Sequence, residues 1–574
     1  MPPMRAAIDF PDADGRRLRN EFSAPCATWI AITPGQVADA LRAAEAAARA
    51  GQWVVGFVAY EAAAAFDAAL PTLAPDPTLP LAAFAAYDRA EDVTAPSGDF
   101  HCGPWTMETT RVDFDAGIAA IHRDITAGRH YQVNYTTGLE APFHGLPRAF
   151  FSALRRAQPG GYCAFLDGGD WQVASVSPEL FFDWTPAGRL TTRPMKGTAP
   201  RGHDAAEDRQ RADELRRSEK EQAENLMIVD LLRNDLGRIA RLGSVAVPHL
   251  FDLEALPTAW QMTSTVACDT CPEVGLTDVF TALFPCGSVT GAPKGSAMAA
   301  ITELEPKPRG VYCGAIGVIR PGGHATFNVA IRSVAIANGM ARCGIGSGIT
   351  IDASAEGEWA EWLVKRRFLL RASADFELIE TLRLEDGCYW LLERHLARLG
   401  ASADYFGFPW REEAVRTALA AATSGRDAGR WRMRLLLDRE GNCRVEGVAL
   451  APDTEPVVVA LATLPVDSGD EFLHHKTTRR QAYEERALPD VFDTLLWNEH
   501  GELTEFTRGN LVLELDGRRL TPALTCGLLP GTFRAELLAS GEIAEAVLRK
   551  ADLARARRLW FINSLRGWLA AKLV

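Results

Sequence analysis

The sequence predicts a mixed chain, α+β or α/β, built from two successive units. Three observations point to it: the length, the interleaving of strand-like and helical patterns, and a fresh strand start near Asp375. A chain of 574 residues exceeds what one core supports, since packed units average ~150 residues. Hydrophobic residues make up 47% and charged residues 24%, the balance of an ordinary globular protein.

From about residue 20 to residue 370, β-rich runs alternate with helical patterns such as the Ala-rich stretch Ala38 to Ala50. The runs are Trp53 to Tyr60, Val173 to Phe182, Val311 to Ile319 and Thr326 to Val334. This mixing predicts one large unit over 1–370. The Pro-rich stretch Leu70 to Pro80 reads as a surface loop within it. Phe376 to Leu384 reads as a strand and Asp386-Gly387 as its hairpin turn, opening a second domain over 375–574. Pro452 to Pro456 divides that domain into subdomains of about 375–455 and 456–574.

A net charge of −13 argues against a nucleic-acid footprint and favours small-molecule chemistry. Met1 to Asn20 contains no uninterrupted apolar run, so neither a signal peptide nor a membrane anchor is expected there, and a cytoplasmic location is. The 11 cysteines are scattered except for Cys268 and Cys271. A zinc site needs a second ligand pair, so reduced thiols are expected.

Ser218 to Gly237 repeats apolar residues Leu226, Val229, Leu232 and Leu236 at helical spacing. Glu221 and Glu224 share one face of that helix, and Glu358 and Glu361 repeat the spacing. Either pair alone reads as a solvated acidic face. Two together suit a hard divalent cation.

Around these pairs stand Ser177-Pro-Glu179, Arg193-Pro-Met-Lys196-Gly-Thr198-Ala-Pro-Arg201, Pro285-Cys-Gly-Ser-Val-Thr290-Gly-Ala-Pro-Lys294, Ala330-Ile-Arg332 and Gly344-Ile-Gly346-Ser-Gly348. In this order they resemble the chorismate-utilising enzymes over nearly all of the first 370 residues. The resemblance implies two stacked β-sheets flanked by helices. Within the family, a lysine at position 196 marks the aminodeoxychorismate synthase branch. It implies that Lys196 attacks carbon-2 of chorismate, ammonia then enters at carbon-4, and Glu179 is the general acid. Magnesium is implied at Glu224 and Glu361, with Glu221 and Glu358 in support. Arg332, Tyr312, Lys365, Thr290 and the backbone of Gly346 to Gly348 are implied to hold the substrate. A cationic setting from Arg193 and Arg201 is expected to lower the pKa of Lys196. Relatives that add water carry a lysine base where Gln132 stands, and an amide cannot take a proton from water. Gln261 stands where anthranilate-forming relatives have a histidine linked to pyruvate loss.

The second domain carries Arg394-His395-Leu-Ala-Arg398, His475-Lys476-Thr-Thr, Leu503-Thr-Glu505-Phe-Thr507-Arg-Gly-Asn510 and Gly527-Leu-Leu-Pro-Gly531-Thr532-Phe-Arg534. These strings resemble fold-type IV pyridoxal-phosphate enzymes, a family of aminotransferases and aminodeoxychorismate lyases. The resemblance implies that Lys476 bonds the cofactor, Glu505 keeps its ring nitrogen protonated, and Arg398 and Thr532 bind its phosphate. Several aminotransferases have a tyrosine five residues after the lysine, where this chain has Gln481, which favours a lyase. The alternative is an anthranilate-type synthase joined to an amino-acid aminotransferase, against which Lys196 speaks. No Gly-x-Cys-x-Gly glutaminase segment occurs. A separate glutamine amidotransferase subunit is therefore implied, as is a homodimer through the pyridoxal-phosphate domain.

Overall fold

The computed structural model describes residues 3–12, 16–93, 98–200, 205–255, 259–373, 376–452 and 455–574. Two compact units result, Met1–Ala374 and Asp375–Val574. Among the described residues no helix is long and apolar enough to cross a membrane.

In the first unit, two antiparallel sheets of ten strands each enclose one apolar layer and carry helices on their outer faces. The strand Trp53–Val58 shows why. Its side chains alternate between two cores, Val55 and Phe57 meeting Phe10, Leu166 and Ile316 between the sheets. Val54 and Val58 join Phe84, Leu232, Phe280 and Phe327 beneath the helices. A strand covered on both faces must be apolar throughout, which accounts for the unbroken hydrophobic run. Truncating fully buried Phe280 to alanine should cost about 3–5 kcal/mol.

Two of the predicted strands are each split. Val173 to Phe182 forms Trp171–Ser177 in the first sheet and Leu180–Trp184 in the second. Pro178, which lacks an N–H, stands at the break. Thr326 to Val334 forms Ala325–Val329 in the second sheet and Ser333–Ala337 in the first, with Arg332 at φ 52° between them. The two crossings are joined: Val329 N donates to Glu179 O at 3.1 Å and Val176 N to Arg332 O at 3.0 Å. Glu179 and Arg332 therefore sit where the chain passes between sheets. The run Val311 to Ile319 becomes extended only at Ala315, after a turn in which Cys313 takes φ 63°.

The helix Glu219–Gly237 begins at Ser218, whose hydroxyl accepts the Glu221 N–H at 3.3 Å. Its buried face is Asn225, Ile228, Val229, Leu232, Asp235 and Leu236. Leu226 is 44% exposed and Asn225 takes its place, so the expected stripe is shifted by one position at its N-terminal end. Leu70 to Pro80 is a loop, tied down by Asp76 and Arg342 at 2.6 Å.

The second unit begins with a four-stranded antiparallel sheet containing Leu378–Glu385, which turns at Asp386 and Gly387 with φ 48° and 77°. Helices Leu392–Phe406 and Glu412–Ala421 cover it through Leu396, Leu399 and Leu419. An eight-stranded sheet follows, from Val457–Leu461 to Gly567–Leu573. Its strand Leu503–Phe506 pairs with Gly509–Leu515 as well as with Asp493–Trp497, closing part of the sheet into a barrel-like ring.

Candidate active sites

In the first unit the strand Met195–Pro200 is irregular: its register against Ala259–Asp269 slips between Met195 and Thr198. Lys196 and Gly197 occupy that bulge, Gly197 at φ 98°. Bulges of this kind re-aim a side chain, and here the one re-aimed is Lys196. Three groups fix the bulge. Asn225 Nδ2 donates to Lys196 O at 3.2 Å, Ser264 Oγ donates to Asn225 at 2.6 Å, and Gln261 Nε2 donates to Gly197 O at 2.8 Å. Gln261 thus buttresses the bulge backbone.

The Lys196 ammonium group lies 3.1 Å from Glu224. A Cβ added to Gly348 would come within 2.5 Å of Lys196 Nζ and collide with the Gln132 amide. The absence of a side chain at 348 is what admits both groups. Among the described residues, neither polar atom of the fully buried Gln132 amide has a hydrogen-bond partner. The lysine's pKa is raised, contrary to the expectation from Arg193. Burial pushes it down, but Glu224, Glu361 and Glu358 outweigh burial. Arg193 is instead paired with Glu254. Arg201 lies outside the described residues.

The four glutamates gather about this lysine. Glu361 pairs with Lys365 at 2.6 Å, and Lys365 Nζ donates to Gly346 O at 2.7 Å. Burial and neighbouring carboxylates raise the pKa values of Glu221 and Glu358, and the Oε2 of Glu358 is buried without a partner. Among the described residues, no three acidic, histidine or cysteine side chains are set as a ready metal cage. Lys196 and Lys365 take up the carboxylates instead.

Glu179 is 3% exposed and accepts from Ser288 Oγ at 2.7 Å. Burial pushes its carboxyl up to about 7, although Ser288, the Met195 N–H and Lys196 pull the other way. Arg332 donates to the carbonyl of Lys365. Thr290 Oγ1 donates to Cys286 O at 3.1 Å within its own turn, and the Tyr312 ring lies against Gly344.

In the second unit Lys476 is joined to the first strand of the small sheet: Ile379 N donates to Lys476 O at 3.0 Å. Burial, Arg398 and Arg480 lower its pKa to about 8. Glu505 is 3% exposed and is pushed up to about 7 by burial. It accepts from Tyr483 Oη at 2.9 Å and Leu529 N at 3.0 Å. Arg398 grips Glu380 through Nε at 2.8 Å and Nη2 at 2.7 Å, and donates from Nη1 to Pro530 O at 3.0 Å. Despite burial, Arg398 and His395 hold Glu380 down to about 2. His395 lies 2.6 Å from Glu380 on one side and 3.3 Å from Thr532 Oγ1 on the other. Thr532 opens the helix Thr532–Ala539, whose first N–H groups favour an anion. Gln481 is bonded to Glu485 at 2.7 Å on the surface.

Two family models match, chorismate binding enzyme over residues 90–371 and amino-transferase class IV over residues 377–574. The chain is a chorismate binding enzyme domain joined to an amino-transferase class IV domain. The chorismate-binding unit is 40% identical over 257 residues to aminodeoxychorismate synthase component 1 of Salmonella typhimurium, covering 45% of this chain and 56% of that protein. It is 37% identical over 290 residues to anthranilate synthase component 1 of Streptomyces coelicolor, covering 50% of this chain and 56% of that protein. The chain thus spans little more than half the length of either relative. A crystal structure of anthranilate synthase component I from Streptococcus pneumoniae superposes with a TM-score of 0.52 at 26% identity, covering 64% of this chain and 90% of that one.

Sequence reasoning passed over Asn225 and Ser288 in the chorismate-binding unit, and Glu380, Arg480 and Tyr483 in the class IV unit. Two carried a signal. Asn225 is a polar residue on the buried face of its helix, and Glu380 is a charge in the alternating apolar register of Leu378, Leu382 and Leu384.

Proposed function

We propose that the chain makes 4-aminobenzoate from chorismate in two steps, one in each unit. The observation that carries the reading is the placement of Lys196: a half-buried amine on a bulge, sharing the space over Gly348 with an unpartnered amide. Once deprotonated, Lys196 Nζ attacks carbon-2 of chorismate as the carbon-4 hydroxyl departs. Glu179, half-protonated near pH 7, gives that hydroxyl its proton, so that water leaves. Ammonia then bonds to carbon-4 and the carbon–nitrogen bond to Lys196 breaks, giving 4-amino-4-deoxychorismate. The Gln132 amide offers ammonia an acceptor while taking no proton from water. The name component 1 of the Salmonella relative supports a separate subunit as the ammonia source.

The donor set of Glu224 and Glu361, with Glu221 and the unpartnered oxygen of Glu358, fits a hard cation such as magnesium, which would supply positive charge for a chorismate carboxylate. In the class IV unit the residues fit pyridoxal phosphate. Lys476 would hold it covalently, Arg398 and Thr532 would bind its phosphate, and Glu505 would hold a proton at the ring nitrogen. Bound there, the cofactor supplies an electron sink. With its bond to the cofactor passed to the substrate amine, Lys476 Nζ would be free to remove the carbon-4 proton, and pyruvate would leave from carbon-3 as its enol while the ring becomes aromatic.

The alternative, anthranilate formation joined to transamination, is supported by the likeness to anthranilate synthase but leaves Lys196 without a task. Incubation with chorismate, magnesium, ammonium and pyridoxal phosphate decides. Formation of 4-aminobenzoate and pyruvate is expected, whereas anthranilate as main product overturns the proposal.

A further inference from the structure

A substrate carboxylate entering the class IV site needs a cation with donors to spare. Arg398 spends three donors on Glu380 and Pro530 O, and what remains is assigned to the cofactor phosphate. Lys476 is reserved for the cofactor. Arg479 lies over the ring of Phe472, at 4.5 Å, and feels Asp470 and Glu471. Arg480 is different. Its guanidinium stacks 4.4 Å over the ring of Tyr483 and donates through Nη2 to the carbonyl of Thr507. Among the described residues, its Nε and Nη1 have no protein partner. It is close enough to Lys476 and Glu505 to act on both electrostatically.

We infer that Arg480 is the carboxylate-binding, specificity-determining residue of the second site, taking one carboxylate of the substrate through its uncommitted donors. A guanidinium matches a carboxylate with two parallel N–H groups. The Tyr483 ring and the Thr507 carbonyl hold it flat in advance, so that little freedom is lost on binding. The same Tyr483 donates to Glu505, so one side chain orients both the anion site and the acid. The inference rests on the pyridoxal-phosphate reading of this site.

The test uses the full chain loaded with pyridoxal phosphate. It is titrated with 4-hydroxybenzoate, a carboxylate without an amine, and with its neutral counterpart 4-hydroxybenzamide, following cofactor absorbance at equilibrium. The wild type should prefer the acid by about 10- to 100-fold, the range of one charge-assisted hydrogen bond. Arg480→Gln should abolish that preference and Arg480→Lys should keep part of it. In turnover of the aminated intermediate, Arg480→Gln should raise KM far more than it lowers kcat. An acid preference that survives Arg480→Gln overturns the inference. So does an altered ligand-free spectrum in Arg480→Gln with the preference intact, which would put Arg480 on the cofactor itself. A wild-type chain that develops no cofactor band overturns the reading of the site, and the inference with it.

Discussion

Lys196 and Lys476 are both half-buried amines, one in each unit, and their surroundings drive them in opposite directions. Partial burial and the neighbouring Arg398 and Arg480 lower the pKa of Lys476 to about 8. Lys196 is likewise half-buried, and burial lowers its pKa too, yet Glu224, Glu361 and Glu358 outweigh that and hold it charged. Burial alone therefore does not make a lysine nucleophilic; the sign of the nearest charges decides. In the class IV unit the amine is ready before any ligand arrives. In the chorismate-binding unit the carboxylates must find another cation before the amine is released, which couples the nucleophile to whatever binds the glutamates.

The largest expected effect separates the two lysines. Lys476→Ala should cut 4-aminobenzoate formation on the order of a thousandfold, while chorismate is still consumed and 4-amino-4-deoxychorismate accumulates. Lys196→Ala should stop chorismate consumption and leave conversion of supplied intermediate unchanged. Chromatography of both reactions checks this, and equal loss of both steps in either variant would break the comparison.

A smaller effect tests the carboxylates. Glu224→Gln and Glu361→Gln should lower magnesium-dependent turnover by ~100-fold or more, and Glu221→Gln and Glu358→Gln by about tenfold, as supporting groups do. Magnesium titrations that match the wild type in all four variants would reduce both pairs to solvated faces.

The lysine pKa values can be compared through pH. Capture of pyridoxal phosphate by the cofactor-free chain should speed up as pH rises through about 8 and then level off, because Lys476 is neutral above that value. A rise that begins only near pH 10 would show an ordinary, charged lysine.

The smallest effect concerns stability and has opposite signs in the two units. Glu61, 3% exposed, accepts the Arg309 N–H at 2.7 Å and the Gly310 N–H at 3.0 Å, and burial raises it to about 7. Its protonated form is favoured in the folded state, so its contribution is complete below about 4.5 and is lost as pH rises through about 7. Glu380, lowered to about 2, contributes above about 4.5 and loses that contribution as pH falls through about 2. Calorimetry of Glu61→Gln should show a flatter melting profile between about pH 5 and 8, and a profile parallel to the wild type would contradict the assignment.

The parts of this arrangement that depend on local spacing were legible in the sequence. The helix of Glu221 and Glu224 and the hairpin at Asp386-Gly387 follow from 3.6-residue and two-residue periodicities. The sheet crossings at Glu179 and Arg332 were not, because a strand that changes sheets keeps its apolar pattern on both sides of the break. Nor was the environment of Lys196. Its sequence neighbour Arg193 turns to Glu254, while Glu224, 28 positions on, supplies the contact. The class IV unit repeats the lesson: Gln481 was weighed as a tyrosine replacement, yet Tyr483, two residues further, is the aromatic residue that reaches the acid.

Gly348 gives the chorismate-binding site an unusual mutational signature. Alanine there adds one methyl group at a point 2.5 Å from Lys196 Nζ, on a strand whose ladder to Gln132–Gly145 is made by backbone atoms alone. The groups displaced are the ends of the Gln132 and Lys196 side chains, so the variant should keep its sheet and, on the proposed mechanism, lose its nucleophile. In a survey of all substitutions scored both for cellular abundance and for growth without supplied 4-aminobenzoate, position 348 should fall far from the diagonal. Its alanine variant would be plentiful, folded and inert, and would still occupy any subunit that delivers ammonia.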